Sequence, residues 1–195
     1  HIVSVEQTLG IFKELTVQRW VLPSRFFTDV FNVIYFYGFF PFVIPTAIWL
    51  YMKRPAIYRV ARTAFLTSGF IAVCFFLTLP TAPPRLLGIG FVDTLNDGMA
   101  PSYSSIPGVN HFAAFPSMHV GWTFLLAVAL YQALPRFRWR PLFFLIPFTM
   151  FSATVITGNH WFLDAVFGLT VASIALAITT YVQRHNERLL SPLSA

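Results

Sequence analysis

Five stretches of the sequence contain no charged residue over about the length that a helix needs to cross a membrane. About 20 helical residues span roughly 30 Å of hydrocarbon. Each stretch is close to that length, although the third is somewhat short. The uncharged stretches are residues 30–52, 63–84, 119–135, 141–159 and 165–183. Because a backbone in lipid must satisfy its own hydrogen bonds, we expect five helical spans.

The composition of the chain excludes most other classes of protein. Hydrophobic residues make up 56% of the chain and charged residues only 10%, whereas a soluble domain has about 45–50% and about 25%. The single cysteine, Cys74, excludes an intrachain disulfide framework. The sequence therefore predicts an all-α, polytopic bundle of transmembrane helices. We expect one membrane-embedded domain over residues 1–195, with a sixth span possible if a segment precedes His1.

Residues 4–22 have a different pattern from the five spans. Apolar residues recur there on one helical stripe, and charged residues lie elsewhere on the helix. The stripe consists of Val5, Leu9, Phe12, Leu15 and Trp20. This pattern is typical of an amphipathic helix that lies at the membrane interface.

The basic residues predict the orientation of the spans. Nine of the 13 Lys and Arg residues fall in three segments that share one face if the spans alternate. These are Lys53, Arg54, Arg59, Arg62, Arg136, Arg138, Arg140, Arg184 and Arg188. The opposite face receives the loop 80–118, whose only basic residue is Arg85. Because short basic loops stay in the cytoplasm, we expect this loop to be non-cytoplasmic. Topology also accounts for the net charge of +6, so no nucleic-acid partner is expected.

His160 and Asp164 form the first candidate pair for chemistry. They are four residues apart, so a helical arrangement places them on one face. The carboxylate can accept the Nδ1 proton of His160, which leaves Nε2 as a lone pair suited to nucleophilic attack. Asp164, at the start of the helix that the fifth stretch predicts, is also the only acidic residue in any of the predicted helical spans, where ionisable groups are expensive. The alternative interpretation is a buried pair that only satisfies itself.

Two further features converge on the same end of the spans as this pair. His119 opens the third span after Pro116 and Ser117, and Ser117 is a good N-cap, so a positive helix end would lie beside His119. Gly158 and Asn159 precede His160 in a similar way.

Arg85 follows a proline-rich turn and suits a fixed anion site. An arginine resting on lipid headgroups is the alternative for this residue alone. The convergence of all these groups favours a site for an anion.

Three short segments resemble the motifs of the type-2 phosphatidic acid phosphatase superfamily. Residues 115–119 (Phe-Pro-Ser-Met-His) are similar to its second motif, and residues 158–164 (Gly-Asn-His-Trp-Phe-Leu-Asp) are similar to its third. Residues 83–85 (Pro-Pro-Arg) stand where the first motif ends in Arg. The order and spacing of the motifs match across about residues 30–183.

The resemblance implies a role for each of four residues. His160 would be the nucleophile, Asp164 its orienting carboxylate, His119 the acid for the leaving group, and Arg85 a phosphate ligand. Ser117, Gly158 and Asn159 would complete the phosphate site. The hydrolytic members of the family need no metal, and we expect none here, nor any cofactor.

Two departures from the family pattern concern positive charge. Thr78 and Thr154 stand where the phosphatase motifs have Lys and Arg, and Leu86 replaces a proline. A phosphomonoester carries nearly two negative charges, and a phosphodiester carries one. The sequence therefore resembles more closely the inositol phosphorylceramide synthase and sphingomyelin synthase branch, which transfers phospho-headgroups between lipids.

We therefore expect an integral-membrane enzyme that cleaves or transfers a phosphate ester of a lipid through a phosphohistidine, with transfer favoured. Its partners would be a lipid phosphate, possibly a lipid alcohol acceptor, and the bilayer. The alternatives are a simple lipid phosphatase and a non-enzymatic lipid transporter or binding protein; a vanadate-dependent peroxidase fits the composition poorly. The short loops and small size favour a bacterial plasma membrane, with the active site on the non-cytoplasmic side.

Overall fold

The computed structural model describes residues 2–98, 107–108 and 110–190, and side chains as far as residue 186. His1, residues 99–106 and 109 of the predicted 80–118 loop, and the side chain of Arg188 lie outside the described part. All regular elements in the described part are helical. The α-helices are α1 (Ile2–Thr8), α2 (Glu14–Val21), α3 (Arg25–Phe36), α4 (Phe39–Lys53), α5 (Pro55–Thr78), α6 (Thr94–Gly98), α7 (Met118–Ala133), α8 (Leu145–Ile156) and α9 (Phe162–Leu190). Short 3-10 turns cover Pro84–Leu86 and Arg140–Phe144.

The prediction of an all-α fold is confirmed, whereas the predicted membrane spans are supported only in part. Two helices, α5 and α9, are long and apolar enough to cross a membrane. Helices α3 and α4 make a third candidate if the pair, bent by 45°, is one span. Helices α7 and α8 are apolar but shorter. The five-span arrangement thus stays a prediction.

The bend between α3 and α4 has a local cause at Gly38. The amide of Gly38 donates to the carbonyls of Val33 and Ile34, 3.1 and 3.0 Å away, and so closes α3. A Cβ atom at this position would lie 2.4 Å from the Ile34 carbonyl oxygen, so a larger residue would collide with the backbone. The bend places Tyr35 and Phe39, one from each helix, beside the same histidine, His119.

The structure corrects the single helix predicted over residues 4–22, because it has two helices there. Gly10 ends α1 with φ of +70°, a conformation that glycine adopts without strain. Its amide donates to the Gln7 carbonyl, and the Ile11 amide donates to the Glu6 carbonyl. Val5 and Trp20 of the apolar stripe are exposed, whereas Glu6, Glu14 and Gln18 are fully buried against the rest of the chain. The interfacial position of this segment stays a prediction, and the amphipathic pattern missed the three polar side chains that fix the segment.

Helix α9 packs against both α5 and α7, and its backbone closely approaches that of α7. A Cβ atom at Gly168 of α9 would lie 2.1 Å from the Ser117 carbonyl oxygen. One at Gly121 of α7 would lie 2.6 Å from the Gly168 carbonyl oxygen. The two glycines let the backbones touch at the ends where both helices begin, so the two candidate histidines start from one layer.

Candidate active site

Both candidate histidines line a cavity of about 610 Å³. His119, His160, Arg85 and Asn159 form its polar wall. Aromatic side chains from the bent pair α3–α4, from α5 and from α7 form much of the remaining wall. These are Tyr35, Phe36, Tyr37, Phe39, Phe40, Phe76 and Trp122. The cavity therefore has one polar end and a broad apolar surface, as a site for a lipid phosphate requires.

His160 lies in the turn that precedes α9, and its Nδ1 atom has two oxygen neighbours. The Ala114 carbonyl oxygen is 2.8 Å away, and Asp164 Oδ2 is 3.4 Å away. A carbonyl only accepts, so Nδ1 carries the hydrogen and the neutral ring has its lone pair on Nε2. The sequence predicted the carboxylate as the orienting group, but the shorter bond goes to a loop carbonyl that no side-chain pattern reveals.

The electrostatic surroundings of His160 favour its neutral, nucleophilic form. Burial lowers the pKa of His160 to about 4, and the charge of Arg85 acts in the same direction. The hydrogen bond to the Ala114 carbonyl opposes both effects by stabilising the protonated ring. At neutral pH the ring is therefore deprotonated at Nε2 and available for attack.

Asp164 is fully buried and connects the turn that carries His160 to the starts of α9 and α7. Its Oδ2 atom accepts from the Trp161 amide at 2.8 Å, so the carboxylate closes the first turn of α9 around His160. Its own backbone carbonyl accepts from the Ser117 amide at 2.9 Å. Asp164 thus joins the start of α9 to the start of α7 as well as contacting the imidazole.

His119 lies in the first turn of α7, beside His160 on the polar wall of the cavity. The two ring centroids are 5.9 Å apart, with the ring planes at 60°. Tyr35 packs against the His119 ring at 4.9 Å and Phe39 at 5.3 Å. These aromatic contacts fix the His119 ring beside the His160 ring.

Arg85 comes from the 3-10 turn after α5 and is 8% exposed. Its Nε atom donates to Asn159 Oδ1 at 2.9 Å, and its NH1 atom is 3.6 Å from Asp93 Oδ2. The Arg85 amide also donates to the Gly158 carbonyl at 3.0 Å. These contacts fix the guanidinium next to the His160 turn, where an anion would meet it.

The other three residues predicted to bind phosphate have different positions. Asn159 lines the cavity and is held by Thr157, whose Oγ1 atom accepts from its amide at 2.8 Å. Gly158 adopts φ of +69° in the turn that precedes His160, and it does not line the cavity. Ser117 occupies the N-cap position of α7, but its buried hydroxyl makes no cap bond. The structure thus brings Arg85 and Asn159 to the cavity and places Gly158 and Ser117 behind it.

Thr78 and Thr154, which replace the two expected cations, lie outside the cavity wall. Each hydroxyl donates to a carbonyl of its own helix, Thr78 to Cys74 at 2.7 Å and Thr154 to Phe151 at 2.8 Å. Among the described residues that line the cavity, Arg85 is the only Lys or Arg. Across residues 2–98, 107–108 and 110–186, no three His, Cys, Asp or Glu side chains converge as metal ligands.

Sequence reasoning missed several residues that the structure places at or behind the site. Asn110 and His111 of the loop line the cavity. Glu6 and Glu14 contact the first residues of α9. Their positions depend on how distant segments fold back, and a helical period within residues 4–22 carries no such information.

Comparison with known proteins assigns the chain to one family. The family model described as PAP2 superfamily matches residues 1–178. The chain belongs to the PAP2 superfamily. This confirms the family predicted from the three motifs, and it supports the prediction of a lipid phosphatase or phosphotransferase.

One curated relative supports the predicted branch. The chain is 36% identical over 72 residues to the inositol phosphorylceramide synthase catalytic subunit aur1 of Schizosaccharomyces pombe. The match covers 37% of this chain and 16% of that protein, so it spans only a small part of the relative's length. No solved structure matches the chain.

The low pKa of His160 predicts an unusually acidic lower limit for activity. The neutral ring is the reactive form, so on the acidic side activity is lost only as the pH falls through the folded-state pKa of about 4. We expect the acid limb of kcat/KM to have its midpoint below pH 5.5 for a lipid phosphate ester with an activated leaving group. A midpoint at or above 6.5, the ordinary value for histidine, would contradict the buried neutral ring.

Proposed function

We propose that the protein is an integral-membrane enzyme that cleaves or transfers a phosphate ester of a lipid through a phosphohistidine on His160. The observation that carries the proposal is the position of the two imidazoles, 5.9 Å apart on one cavity wall with Arg85. A phosphorus atom between the rings would have a nucleophile on one side and a proton donor on the other. The whole chain would act as a single domain.

The reaction has two steps that share the same two histidines. In the first, Nε2 of His160 forms a bond to phosphorus while the bond to the leaving alcohol breaks, and His119 gives that oxygen a proton. In the second, water or a lipid hydroxyl attacks the phosphohistidine and the P–N bond breaks. His119 takes the proton of the attacking hydroxyl, so both residues return to their starting states.

The equatorial phosphate oxygens need positive charge and hydrogen-bond donors in place before reaction. Arg85 supplies a guanidinium whose position is fixed by Asn159 and Asp93. Such charge-assisted bonds are roughly twice as strong as neutral ones. Gly158 and Ser117 would act from behind the wall, by shaping the turn and the start of α7 rather than by contacting phosphate.

Transfer to a lipid alcohol is favoured over simple hydrolysis by the count of cations. A single guanidinium in the described cavity wall balances the one charge of a phosphodiester, but it does not balance the second charge of a monoester. The similarity to a synthase catalytic subunit favours the same choice. Simple lipid phosphate hydrolysis, with water as the acceptor, is the second candidate because the same two-histidine geometry serves it equally.

A non-enzymatic lipid transporter has less support. Such proteins place polar groups midway along several spans. Asn32 is a polar residue in α3, and its side chain is satisfied internally: its amide donates to the Thr94 carbonyl at 3.0 Å and its Oδ1 atom accepts from the Thr94 hydroxyl at 2.7 Å. The ionisable groups instead gather at the starts of α7 and α9.

The enzyme would lie in a bacterial plasma membrane with its cavity on the non-cytoplasmic side. The short α7 and α8 would complete five spans, and α1 and α2 would lie along the interface. The basic segments at 53–62 and 136–140 support this orientation, because they lie at the opposite ends of α5 and α7 from the cavity.

Substitution of each histidine separates the two proposed roles. His160→Ala removes the nucleophile, so turnover should fall by at least 1000-fold, of order 4 kcal/mol, with any leaving group. His119→Ala removes the acid, so an activated leaving group such as p-nitrophenol should restore most of its lost rate. Rates measured with both types of ester test this, and Thr170→Ala on an exposed part of α9 is the control. Equal loss with both esters in His119→Ala would exclude its role as the acid.

The number of cations predicts the preferred substrate. A second, poorly paired negative charge in a half-buried site costs about 1–3 kcal/mol, or roughly ten- to a hundredfold. We expect kcat/KM for a phosphodiester lipid to exceed that for the matched phosphatidic acid by that factor. Arg85→Gln should lower both, whereas Arg138→Gln, an exposed arginine outside the cavity, should change neither. Faster turnover of the monoester, with no transfer to an added lipid alcohol, would favour the phosphatase.

A further inference from the structure

Two fully buried carboxyl groups from the N-terminal helices meet the start of α9. Glu6 Oε1 accepts from the Leu163 amide at 2.8 Å, and Glu14 Oε1 accepts from the Phe162 amide at 2.9 Å. Phe162 and Leu163 are the first residues of α9, whose amides have no partner within the helix. The two glutamates therefore cap α9 from other elements, although neither is near it in sequence.

The second oxygen of each carboxyl group is the feature that links the two glutamates. Within the described part of the chain, no donor reaches Oε2 of Glu6 or Oε2 of Glu14. The two carboxyl groups nevertheless lie side by side, because they accept from the amides of consecutive residues, Phe162 and Leu163. Two carboxylates have only acceptors, so a bond between them requires one proton. A single shared proton satisfies both orphaned oxygens.

The charges around the pair also favour retention of that proton. The ionisable groups that act on Glu6 are Glu14 from α2 and Asp164 from α9, and both are acidic. Burial raises the pKa of Glu6 from 4.5 to about 8, and the hydrogen bond with Glu14 acts in the same direction. The bond from the Leu163 amide opposes this shift only in part.

The capped turn connects directly to the reacting group. Asp164 follows Leu163, and its Oδ2 atom holds the Trp161 amide and contacts Nδ1 of His160. Any displacement of the first turn of α9 therefore moves the carboxylate and the imidazole together. Neither glutamate lines the cavity.

We propose that Glu6 and Glu14 are positioning residues: they share one proton, cap the start of α9 and thereby hold Asp164 and His160 in register for phosphoryl transfer. The catalytic part of this proposal rests on the proposed function. Loss of the shared proton leaves two negative charges side by side next to Asp164, which pushes the capping helices away from α9. The site then loses its alignment without any change in the residues that contact substrate.

The test compares Glu6→Gln with Glu6→Ala in the full chain. A glutamine keeps the acceptor for the Leu163 amide and supplies a permanent donor to Glu14, so it mimics the protonated state. Wild-type kcat should fall about tenfold between pH 7 and pH 9, as a group with pKa near 8 loses its proton. Glu6→Gln should keep its pH 7 value at pH 9, and Glu6→Ala should lose at least tenfold in kcat at both, with KM within threefold.

Asp29→Asn, at an exposed acid on α3, is the matched control and should retain the wild-type profile. An alkaline limb that persists unchanged in Glu6→Gln would overturn the proposal. So would a Glu6→Gln protein as inactive as Glu6→Ala at pH 7, because a required negative charge rather than a shared proton would then be the cause.

A measurement without substrate separates this proposal from the proposed function. Because the folded-state pKa of Glu6 lies above its unfolded value, stability is lost as the pH rises from about 4.5 to about 8, and the loss then levels off. The thermal midpoint of the purified wild type in detergent should fall over this range relative to Glu6→Gln, and Asp29→Asn should follow the wild type. Parallel curves for wild type and Glu6→Gln would exclude the shared proton, even if no lipid ester were turned over.

Discussion

The backbone contact between α7 and α9 is the constraint on which the rest of the site depends. Gly168 lies against the Ser117 carbonyl so closely that no side chain fits between them. The contact occurs where α7 begins, and α9 begins six residues, or about 1.7 turns, before Gly168. His119 and His160 belong to these two beginnings, so the crossing sets their separation. A wider crossing would leave two histidines too far apart to share one phosphorus atom.

The turn before α9 fixes the orientation and the tautomer of the His160 ring. Four polar groups from four segments hold it: the Ala114 carbonyl, the Asp164 carboxylate, and the carboxyl groups of Glu6 and Glu14. All act away from water, where hydrogen bonds are strong and an unpaired group is costly. The backbone and side chain of the turn are fixed before substrate arrives, which is the condition for electrostatic catalysis. Arg85 is held in the same way, by Asn159 and by the Gly158 carbonyl.

Much of this site was predictable because its key residues are rare in apolar sequence. An acidic residue four positions after a histidine in a long uncharged run is conspicuous, and so is a lone arginine in a proline-rich loop. The membrane class followed from composition, and the family followed from the order of three short motifs. Local spacing was sufficient for each of these inferences.

The remaining features depend on contacts between distant segments, which local spacing does not encode. The Ala114 carbonyl could not be assigned because every residue carries one. Glu6 and Glu14 belonged to the polar side of an amphipathic pattern, which ordinarily faces water, and only the folding of α1 and α2 onto α9 buries them. Ser117 was expected to cap α7 with its hydroxyl, but its backbone makes the contacts. Its amide donates to the Asp164 carbonyl, and its carbonyl accepts from the Gly121 amide and lies against Gly168. The bend at Gly38 was hidden within one uninterrupted apolar stretch.

The central claim is that phosphorus becomes covalently attached to His160 during turnover. The most direct measurement is rapid denaturing quench of the wild-type protein reacting with a lipid ester labelled at phosphorus, followed by mapping of the labelled peptide. A phosphohistidine intermediate predicts an acid-labile, base-stable label on His160, absent from His160→Ala and retained in His119→Ala with an activated ester. A label in His160→Ala protein, or on any other residue of the wild type, would contradict it.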